Sequence, residues 1–206
     1  MKNFWENIYK HEKNAEYDGW LDSFLPDLSK GKVVDLGCGN GAVSDFLVRQ
    51  NVDVLACDFS EEALKNCALL NPKIKTQKVD LREALAFTNK SVSSVIAELS
   101  LHYFSSALTE QILREIWRIL DDEGLLFVRV NSTKDVHFDA GQGEEIEQNF
   151  YSKDGNTKRF FDKEMIQHFF LTENWEKVSV SEQTKIRYEN EKTFWEIVLR
   201  KRDDKK

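Results

Sequence analysis

Three closely spaced glycines, Gly37, Gly39 and Gly41, separate two segments with different hydrophobic patterns. Residues 33–36 are mostly apolar and begin with two valines, which predicts a buried strand. Residues 42–50 carry apolar side chains at helical spacing, which predicts an amphipathic helix. A glycine turn between a strand and a helix lets a ligand approach the bare backbone and meet the unpaired N–H groups of the helix. The feature therefore predicts an α/β fold with a ligand site at the end of the strand.

The alternation of strand and helix continues along the chain. Further strands are predicted at residues 52–57, 74–79, 92–97 and 125–130, and further helices at residues 60–70 and 108–120. Residues 121–124 are expected to form the turn that enters the last of these strands. This order favours a mostly parallel sheet covered by helices on both faces, which is a Rossmann-like, doubly wound α/β architecture.

The C-terminal part of the chain departs from this rhythm. Residues 132–157 are polar and contain glycine, which predicts a long loop or partial lid. A helix is predicted at residues 162–171, followed by strands at residues 175–180 and 193–199. Because strands this close in sequence usually pair antiparallel, we expect the sheet to end in a C-terminal antiparallel hairpin.

Length and composition limit what this fold can be used for. The 206 residues suit a single domain, and 41% hydrophobic with 32% charged residues is typical of a soluble globular protein. A net charge of −7 makes nucleic acid an unlikely partner, and no apolar run is long enough for a membrane span. Cys38, Cys57 and Cys67 are not spaced like metal ligands, so no metal site is expected. Free thiols, together with an N-terminus unlike a signal peptide, predict a cytoplasmic protein.

Asp35 precedes the first glycine by two residues and separates two classes of ligand. With Ala42, the glycine run satisfies the dinucleotide pattern G-x-G-x-x-G/A. A carboxylate beside the turn would repel a pyrophosphate, whereas it would attract the ammonium and sulfonium groups of S-adenosylmethionine. Asp35 therefore favours S-adenosylmethionine, although it could also accept hydrogen bonds from N–H groups of the turn.

Two further acidic residues follow predicted strands. Asp58 comes directly after the predicted strand at residues 52–57 and follows the glycine turn at a spacing typical of ribose-binding acids. Its carboxylate either accepts hydrogen bonds from both ribose hydroxyls of an adenosine or caps the next helix. Phe59 either flanks the adenine or belongs to the core. Asp80 either accepts from the adenine amino group or is an ordinary surface residue, and Leu81 would contact the adenine ring.

The segment that starts at Glu98 follows the fourth predicted strand. Ligands of open α/β sheets bind beyond the carboxyl ends of the strands, so this segment is expected near the reacting group. His102 either takes a proton from an O–H or N–H nucleophile or is a hydrogen-bonded structural histidine. Tyr103 either shares that catalytic role or shapes the pocket.

Taken together, Asp35-Leu36-Gly37-Cys38-Gly39-Asn40-Gly41, Asp58 and Asp80-Leu81 resemble the motif series of class I S-adenosylmethionine-dependent methyltransferases. One departure is Asp122-Glu123-Gly124, where that family often has a Pro-Gly-Gly turn. The resemblance implies a seven-stranded sheet and S-adenosyl-L-methionine as the cofactor. The methionine end would lie at Asp35 and the glycine turn. The implied cofactor-binding residues are Asp35, Gly37, Cys38, Gly39, Gly41, Asp58, Phe59, Asp80, Leu81 and Glu98.

The acceptor side is less defined than the donor side. We expect a helical lid at residues 1–30, a cofactor-binding core at 31–131, and an acceptor-side loop with the hairpin at 132–206. The helix of the lid is predicted over residues 4–25. Its aromatic residues either cover the cofactor or pack as an amphipathic face. They are Trp5, Tyr9, Tyr17 and Trp20.

Several polar residues lie in the expected acceptor-side loop. They are Asn131, His137, Gln142 and the basic pair Lys158 and Arg159, which either meets an anionic substrate or is solvated. The chain lacks the Asn/Asp-Pro-Pro-aromatic run of related enzymes that methylate base amino groups or glutamine amides. A small-molecule acceptor is therefore favoured. A non-catalytic S-adenosylmethionine-binding module and a nicotinamide-dependent oxidoreductase remain alternatives, and the oligomeric state is open.

Overall fold

The computed structural model describes residues 2–11, 16–187 and 189–202. The helices are α1 (Lys2–His11), α2 (Leu25–Leu28), α3 (Ala42–Arg49), α4 (Glu61–Leu70), α5 (Ser106–Ile119) and α6 (Lys163–Phe170). The strands are β1 (Val33–Leu36), β2 (Val54–Asp58), β3 (Lys75–Lys78), β4 (Val92–Glu98), β5 (Leu120–Asn131), β6 (Glu144–Glu147), β7 (Phe150–Lys153), β8 (Asn156–Arg159), β9 (Trp175–Arg187) and β10 (Asn190–Lys201). In the part of the chain that is described, no helix is long and apolar enough to cross a membrane.

The main sheet has seven strands in the order β3-β2-β1-β4-β5-β10-β9. The first five strands pair in parallel, whereas β10 runs antiparallel to both β5 and β9. The order reverses beside β1, which creates the crevice where open α/β sheets bind ligands. The predicted mostly parallel, seven-stranded sheet with a C-terminal antiparallel hairpin is confirmed.

Side chains of the central strand β4 alternate between two hydrophobic layers. Val95 and Ala97 belong to the layer that contains α5 and α6, while Ile96 belongs to the layer that contains α2 and α3. Each fully buried aliphatic side chain of this kind stabilises the fold by about 1.5–3 kcal/mol. Both faces of the sheet are therefore covered, as the doubly wound prediction requires.

Polar caps fix where three of the helices begin. The hydroxyl of Ser60 accepts from the backbone N–H of Ala63 at the start of α4. Ser105 and Asp162 accept in the same way at the starts of α5 and α6. Such caps typically contribute about 1 kcal/mol each. The cap of α4 also ends the β2–α4 turn, and so it holds Asp58 at the edge of the sheet.

Residues 132–157 do not form the expected loop. They contain β6 and β7, and with β8 they make a three-stranded antiparallel sheet. The β7–β8 turn consists of Asp154 and Gly155, both with positive φ (51° and 78°). An Asp-Gly pair with this backbone is the strongest short-range signal of a β-hairpin. The polar composition of the segment favoured a loop and so hid the hairpin.

Two local predictions are also wrong. The helix predicted over residues 4–25 ends at His11; residues 12–15 lie outside the described part, and residues 16–21 are not helical. Residues 121–124 do not end α5 as a separate turn, because Leu120 already pairs with Val92 in the sheet. The ladder resumes at Leu125, so the four residues bulge out within β5.

Candidate functional site

A cavity of about 400 Å³ opens at the carboxyl ends of the parallel strands. This volume lies within the range of small-molecule sites. His102 and Tyr103 line it, together with every predicted cofactor-site residue except Gly41. The lining residues that were predicted from the cofactor motifs are Asp35, Gly37, Cys38, Gly39, Asp58, Phe59, Asp80, Leu81 and Glu98.

The glycine turn is needed for close packing as well as for ligand access. Gly37 has φ +75°, and a Cβ there would lie 2.5 Å from the Cβ of Ser100. Gly41 has φ +85°, and a Cβ there would lie 2.4 Å from Sγ of Cys67. Neither contact is possible for a larger residue. Gly41 therefore lets α3 pack against α4, and it supports the turn from outside the cavity.

Asp35 is buried at the end of β1 with 2% of its surface exposed. Ser44 donates its hydroxyl hydrogen to Oδ2 at 2.7 Å. Burial raises the pKa of Asp35 to about 7, and the nearby carboxylates of Glu98 and Asp58 also raise it, although the Ser44 bond opposes the shift. A cationic ligand group would favour the ionised form of this carboxyl, so its surroundings fit the ammonium and sulfonium predicted from the sequence.

Asp58 ties β2 to the glycine turn. Its Oδ2 accepts from the N–H of Gly39 at 3.0 Å, and its Oδ1 accepts from the N–H of Ser60 at 2.9 Å. Burial raises the pKa of Asp58, whereas these backbone hydrogen bonds lower it. Each carboxylate oxygen keeps a second lone pair, so both can still accept from a ribose diol. The neighbouring Phe59 is half-buried in the wall of the cavity.

Asp80 lies on the rim of the cavity rather than deep inside it. Its carboxylate receives hydrogen bonds from the guanidinium of Arg82, including one of 2.9 Å from Nε. Arg82 also lines the cavity, although it was not among the residues predicted from the sequence. Any adenine amino group that bonds to Asp80 would share the carboxylate with this arginine, while Leu81 supplies the apolar contact beside it.

Glu98 is held by an ion cluster that includes Arg187, another lining residue of the cavity. Its Oε1 accepts from Arg129 at 3.1 Å and lies 3.4 Å from the guanidinium of Arg187. Arg129 is almost fully buried, and its guanidinium packs between the rings of Trp20 and Phe194 at 4.5 and 4.7 Å. This cluster connects β4, β5 and the hairpin, and it fixes the position of Glu98.

His102 lies in a short 3₁₀ turn, Leu101–Tyr103, just beyond β4. The preceding Leu99 has φ +50°, an uncommon backbone conformation for a leucine that is typical of functional turns. His102 is 2% exposed, and its Nδ1 has no hydrogen-bond partner among the described residues. Burial lowers the pKa of His102 well below its usual value, and the charges of Lys192, Lys158 and Arg187 lower it further. The imidazole is therefore neutral.

Helix α1 covers one side of the cavity. Trp5 and Tyr9 line it, and the Trp5 ring meets the edge of Tyr103 with centroids 4.9 Å apart. The Glu6 carboxylate accepts from the hydroxyl of Ser60 at 3.0 Å and from two N–H groups in the first turn of α4. Burial raises the pKa of Glu6, but these hydrogen bonds lower it below its usual value.

The other two aromatic residues of the expected lid have a different role. Tyr17 stacks on Phe46, with ring centroids 3.9 Å apart, and both pack against the core layer around α3. Trp20 packs against the same layer and contacts Arg129. Neither lines the cavity, so only Trp5 and Tyr9 of the four belong to the site.

The far side of the cavity is built from the C-terminal part of the chain. Its polar wall consists of Asn131, Asn156, Lys158, Arg187 and Lys192. Phe138 adds an aromatic surface, with Nζ of Lys192 4.3 Å from the ring centroid. Of the residues considered from sequence, Asn131 and Lys158 lie here. His137 and Gln142 are exposed and outside the lining, and Arg159 is buried in an ion pair with Glu147.

The sequence is similar to known methyltransferases. A family model described as a methyltransferase domain matches residues 33–124. YqeM of Bacillus subtilis, which is named as a methyltransferase, is 28% identical over 134 residues, covering 63% of this chain. The match covers 53% of that protein, so the chain spans about half the length of this curated relative.

Solved structures share the fold over most of the chain. A protein from Methanosarcina mazei described as a SAM-dependent methyltransferase superposes with a TM-score of 0.79 at 14% identity, covering 92% of this chain and 100% of that one. The 1,6-didemethyltoxoflavin-N1-methyltransferase of Burkholderia thailandensis, solved with 1,6-didemethyltoxoflavin and S-adenosylhomocysteine, has a TM-score of 0.67 at 17% identity. That match covers 89% of this chain and 75% of the other.

Proposed function

We propose that this chain is a class I S-adenosylmethionine-dependent methyltransferase and that it transfers a methyl group from S-adenosylmethionine to a small-molecule acceptor. The observation that carries the proposal is a single cavity that contains a buried acid, a glycine turn and a neutral histidine. In this proposal residues 31–131 bind the donor, residues 132–206 face the acceptor, and α1 closes over both.

The residues on the donor side suit the cofactor. The buried carboxylate of Asp35 would hold the cationic end, and Asp58 would hold the ribose diol with the free lone pairs of its oxygens. Phe59 and Leu81 would enclose the adenine between apolar surfaces. When bound, S-adenosylmethionine supplies a methyl group that is already electrophilic, since it leaves from a positively charged sulfur.

The roles of the chain in catalysis are alignment and proton removal. His102 would accept the proton of an acceptor O–H or N–H group through its unpartnered Nδ1. Tyr103 would align the acceptor, since its ring lies between His102 (centroids 4.1 Å apart) and Trp5 of the lid. Closure of α1 would exclude water, which matters because alignment of nucleophile and methyl group provides much of the rate.

Two measurements test the proposal. Calorimetric titration with S-adenosylhomocysteine, with NAD as the control, asks whether the cavity takes the predicted cofactor. Release of S-adenosylhomocysteine from S-adenosylmethionine is then followed over a panel of hydroxyl, amine and thiol acceptors. Saturable turnover with one acceptor class supports methyl transfer. Tight cofactor binding without turnover on any acceptor would favour the non-catalytic binding module, and binding of NAD alone would favour an oxidoreductase.

The cellular setting follows from the same proposal. The three cysteines are free in the structure, and two of them are buried. Thiols of this kind persist in a reducing compartment, which supports a cytoplasmic protein. The overall negative charge supports a small molecule rather than nucleic acid as the partner.

A further inference from the structure

The acceptor side of the cavity has a positive lining. Lys158, Arg187 and Lys192 reach it from three different strands, β8, β9 and β10. The carboxylates that pair with the two lysines, on Asp139 and Asp135, do not line the cavity. The counter-charges of the two lysines therefore lie outside the lining, at 3.1 Å for Lys158 and 2.7 Å for Lys192, whereas Arg187 lies 3.4 Å from Glu98, which lines the cavity as well.

Holding these cations together costs free energy in the protein without a ligand. Burial lowers the pKa of Lys192, and Asp135 raises it, but the charges of Arg187 and Lys158 lower it again. Like charges gathered at one wall repel each other, and a bound anion would relieve that repulsion. Such a wall is typical of sites that recognise carboxylates or other oxyanions.

Among the described residues, two buried polar atoms of the cavity lining have no hydrogen-bond partner. They are Nδ1 of His102 and Oδ1 of Asn131, each on a residue with 2% of its surface exposed. Both residues line the cavity: His102 lies in the turn that follows β4, and Asn131 is the last residue of β5. Buried polar atoms are nearly always satisfied, so these two point to a ligand that brings hydrogen-bonding groups of its own.

We propose that the acceptor is a small anion, carrying a carboxylate that Lys158, Arg187 and Lys192 bind and a nucleophilic O–H or N–H group directed at His102 and Asn131. This inference rests on the proposed methyl transfer and adds the substrate class. The nucleophile loses its proton to His102 and forms the new bond to the methyl carbon, while the bond from that carbon to sulfur breaks and its electron pair stays on the neutral thioether.

The carboxylate of the donor is the other possible source of the anion. The glycine turn after β1 offers backbone N–H groups for that carboxylate, whereas the cations come from strands beyond residue 150. The experiment must therefore separate the two sources, and it does so by measuring donor and acceptor binding independently.

The test uses benzoate and its neutral counterpart benzamide as probes, titrated into protein saturated with S-adenosylhomocysteine. Benzoate is expected to bind about tenfold tighter than benzamide, and Lys158→Met should reduce that preference to about threefold or less. Lys153→Met is the matched control, since Lys153 contacts the same Asp139 carboxylate at 2.6 Å but does not line the cavity. It should leave the preference unchanged.

Arg187→Gln gives a second variant in case Lys158→Met disturbs the small sheet. NMR titration of His102 supplies a readout that a structural role would not change. Benzoate should raise the pKa of His102, since it neutralises the cations that hold it down.

Each contrary result has one meaning. Equal affinity for the two probes, no saturable binding of benzoate, or an equal loss in Lys153→Met would overturn the anionic acceptor. Weaker binding of S-adenosylhomocysteine in Lys158→Met would overturn it as well, because the anion would then be that of the donor. Failure of S-adenosylhomocysteine to bind the unmodified protein would instead remove the proposed function itself.

Discussion

The donor side and the acceptor side of the cavity are built in opposite ways. On the donor side, carboxylates lie in the last two residues of parallel strands: Asp35 is the last but one residue of β1, and Asp58 is the last residue of β2. On the acceptor side, Lys158, Arg187 and Lys192 come from β8, β9 and β10, which belong to the small sheet and to the antiparallel hairpin. One wall is therefore acidic and made from local motifs, and the other is basic and assembled by long-range pairing.

This contrast indicates that the two walls of the cavity bind different ligands. An acidic wall suits a sulfonium donor, which is a constant partner, so its residues can be fixed by short motifs beside the glycine turn. Between the two walls lies His102, a neutral histidine whose pKa is held down by burial and by the cations. Variants on each side should then have separable effects.

The largest effect is expected at the boundary between the two walls. His102→Ala should lower turnover by about 10²-fold or more, because the acceptor loses its proton acceptor. Affinity for S-adenosylhomocysteine should stay nearly unchanged, as His102 is not part of the donor wall. Initial rates with the acceptor found by screening, together with calorimetry, measure the two quantities. The exposed His137→Ala is the control, and an unaltered rate in His102→Ala would leave His102 only a structural role.

A smaller but still large effect is expected within the donor wall. Asp58→Ala should weaken S-adenosylhomocysteine binding by about tenfold or more, since buried ribose hydroxyls would lose a charged partner worth about 1.5–3 kcal/mol. The control is Asp53→Ala, which should bind S-adenosylhomocysteine normally. Asp53 directly precedes β2, and its exposed carboxylate pairs with Lys75. Calorimetry on both variants gives the comparison, with circular dichroism as a check on folding. Equal affinities would rule out the ribose role of Asp58.

The same contrast accounts for how much the sequence could predict. The strand and helix periods predicted the alternation of strands and helices and a sheet covered on both faces, because each element carries its own pattern. The seven strands of the sheet were implied by the family resemblance, and their order comes from the structure. The donor wall was predictable for a similar reason: Asp35, Gly37 and Asp58 lie at fixed distances from strand ends. Only Gly41 falls outside the lining, since its conformation serves packing against Cys67 rather than a ligand.

The acceptor wall could not be predicted in that way. Lys192 and Arg187 face the cavity because of the β9–β10 register and the position of the hairpin, and neither is encoded by a local pattern. The small sheet was missed although Asp154-Gly155 is a readable hairpin turn, because the flanking strands are polar and lack a buried alternating face. Tyr17 and Trp20 look like Trp5 and Tyr9 in sequence, and only tertiary packing separates core from lid.

Asp35 allows the acidic wall to be tested by pH. Burial raises its pKa to about 7 in the folded chain, above the usual 3.8. The stabilising contribution of the proton is complete below the unfolded pKa and is lost as the pH rises through 7. Asp35→Asn does not titrate, so its stability relative to the unmodified protein should be higher at pH 8 than at pH 5 by about 1–3 kcal/mol.

Urea denaturation at the two pH values measures this difference, and calorimetry measures the cost in function. Asp35→Asn should bind S-adenosylhomocysteine more weakly even where the protein is more stable, because the carboxylate is kept for a cationic group. If Asp35→Asn gained no stability at pH 8 relative to pH 5, the pKa of Asp35 would not be raised by burial. A variant that bound normally would remove Asp35 from the donor wall.

The smallest effect is expected at the lid, which belongs to both walls. Glu6→Ala removes the carboxylate that joins α1 to the first turn of α4, where it accepts from Ser60 and from two backbone N–H groups. Partly exposed interactions of this kind are worth about 1 kcal/mol, so S-adenosylhomocysteine should dissociate about three- to tenfold faster. Glu62→Ala, in the same turn of α4 but paired with Lys65, is the matched control. Stopped-flow measurement of Trp fluorescence follows the release, since Trp5 lines the cavity. If both variants released the ligand at the unmodified rate, α1 would not gate the cavity, and the two walls would open to solvent independently of the lid.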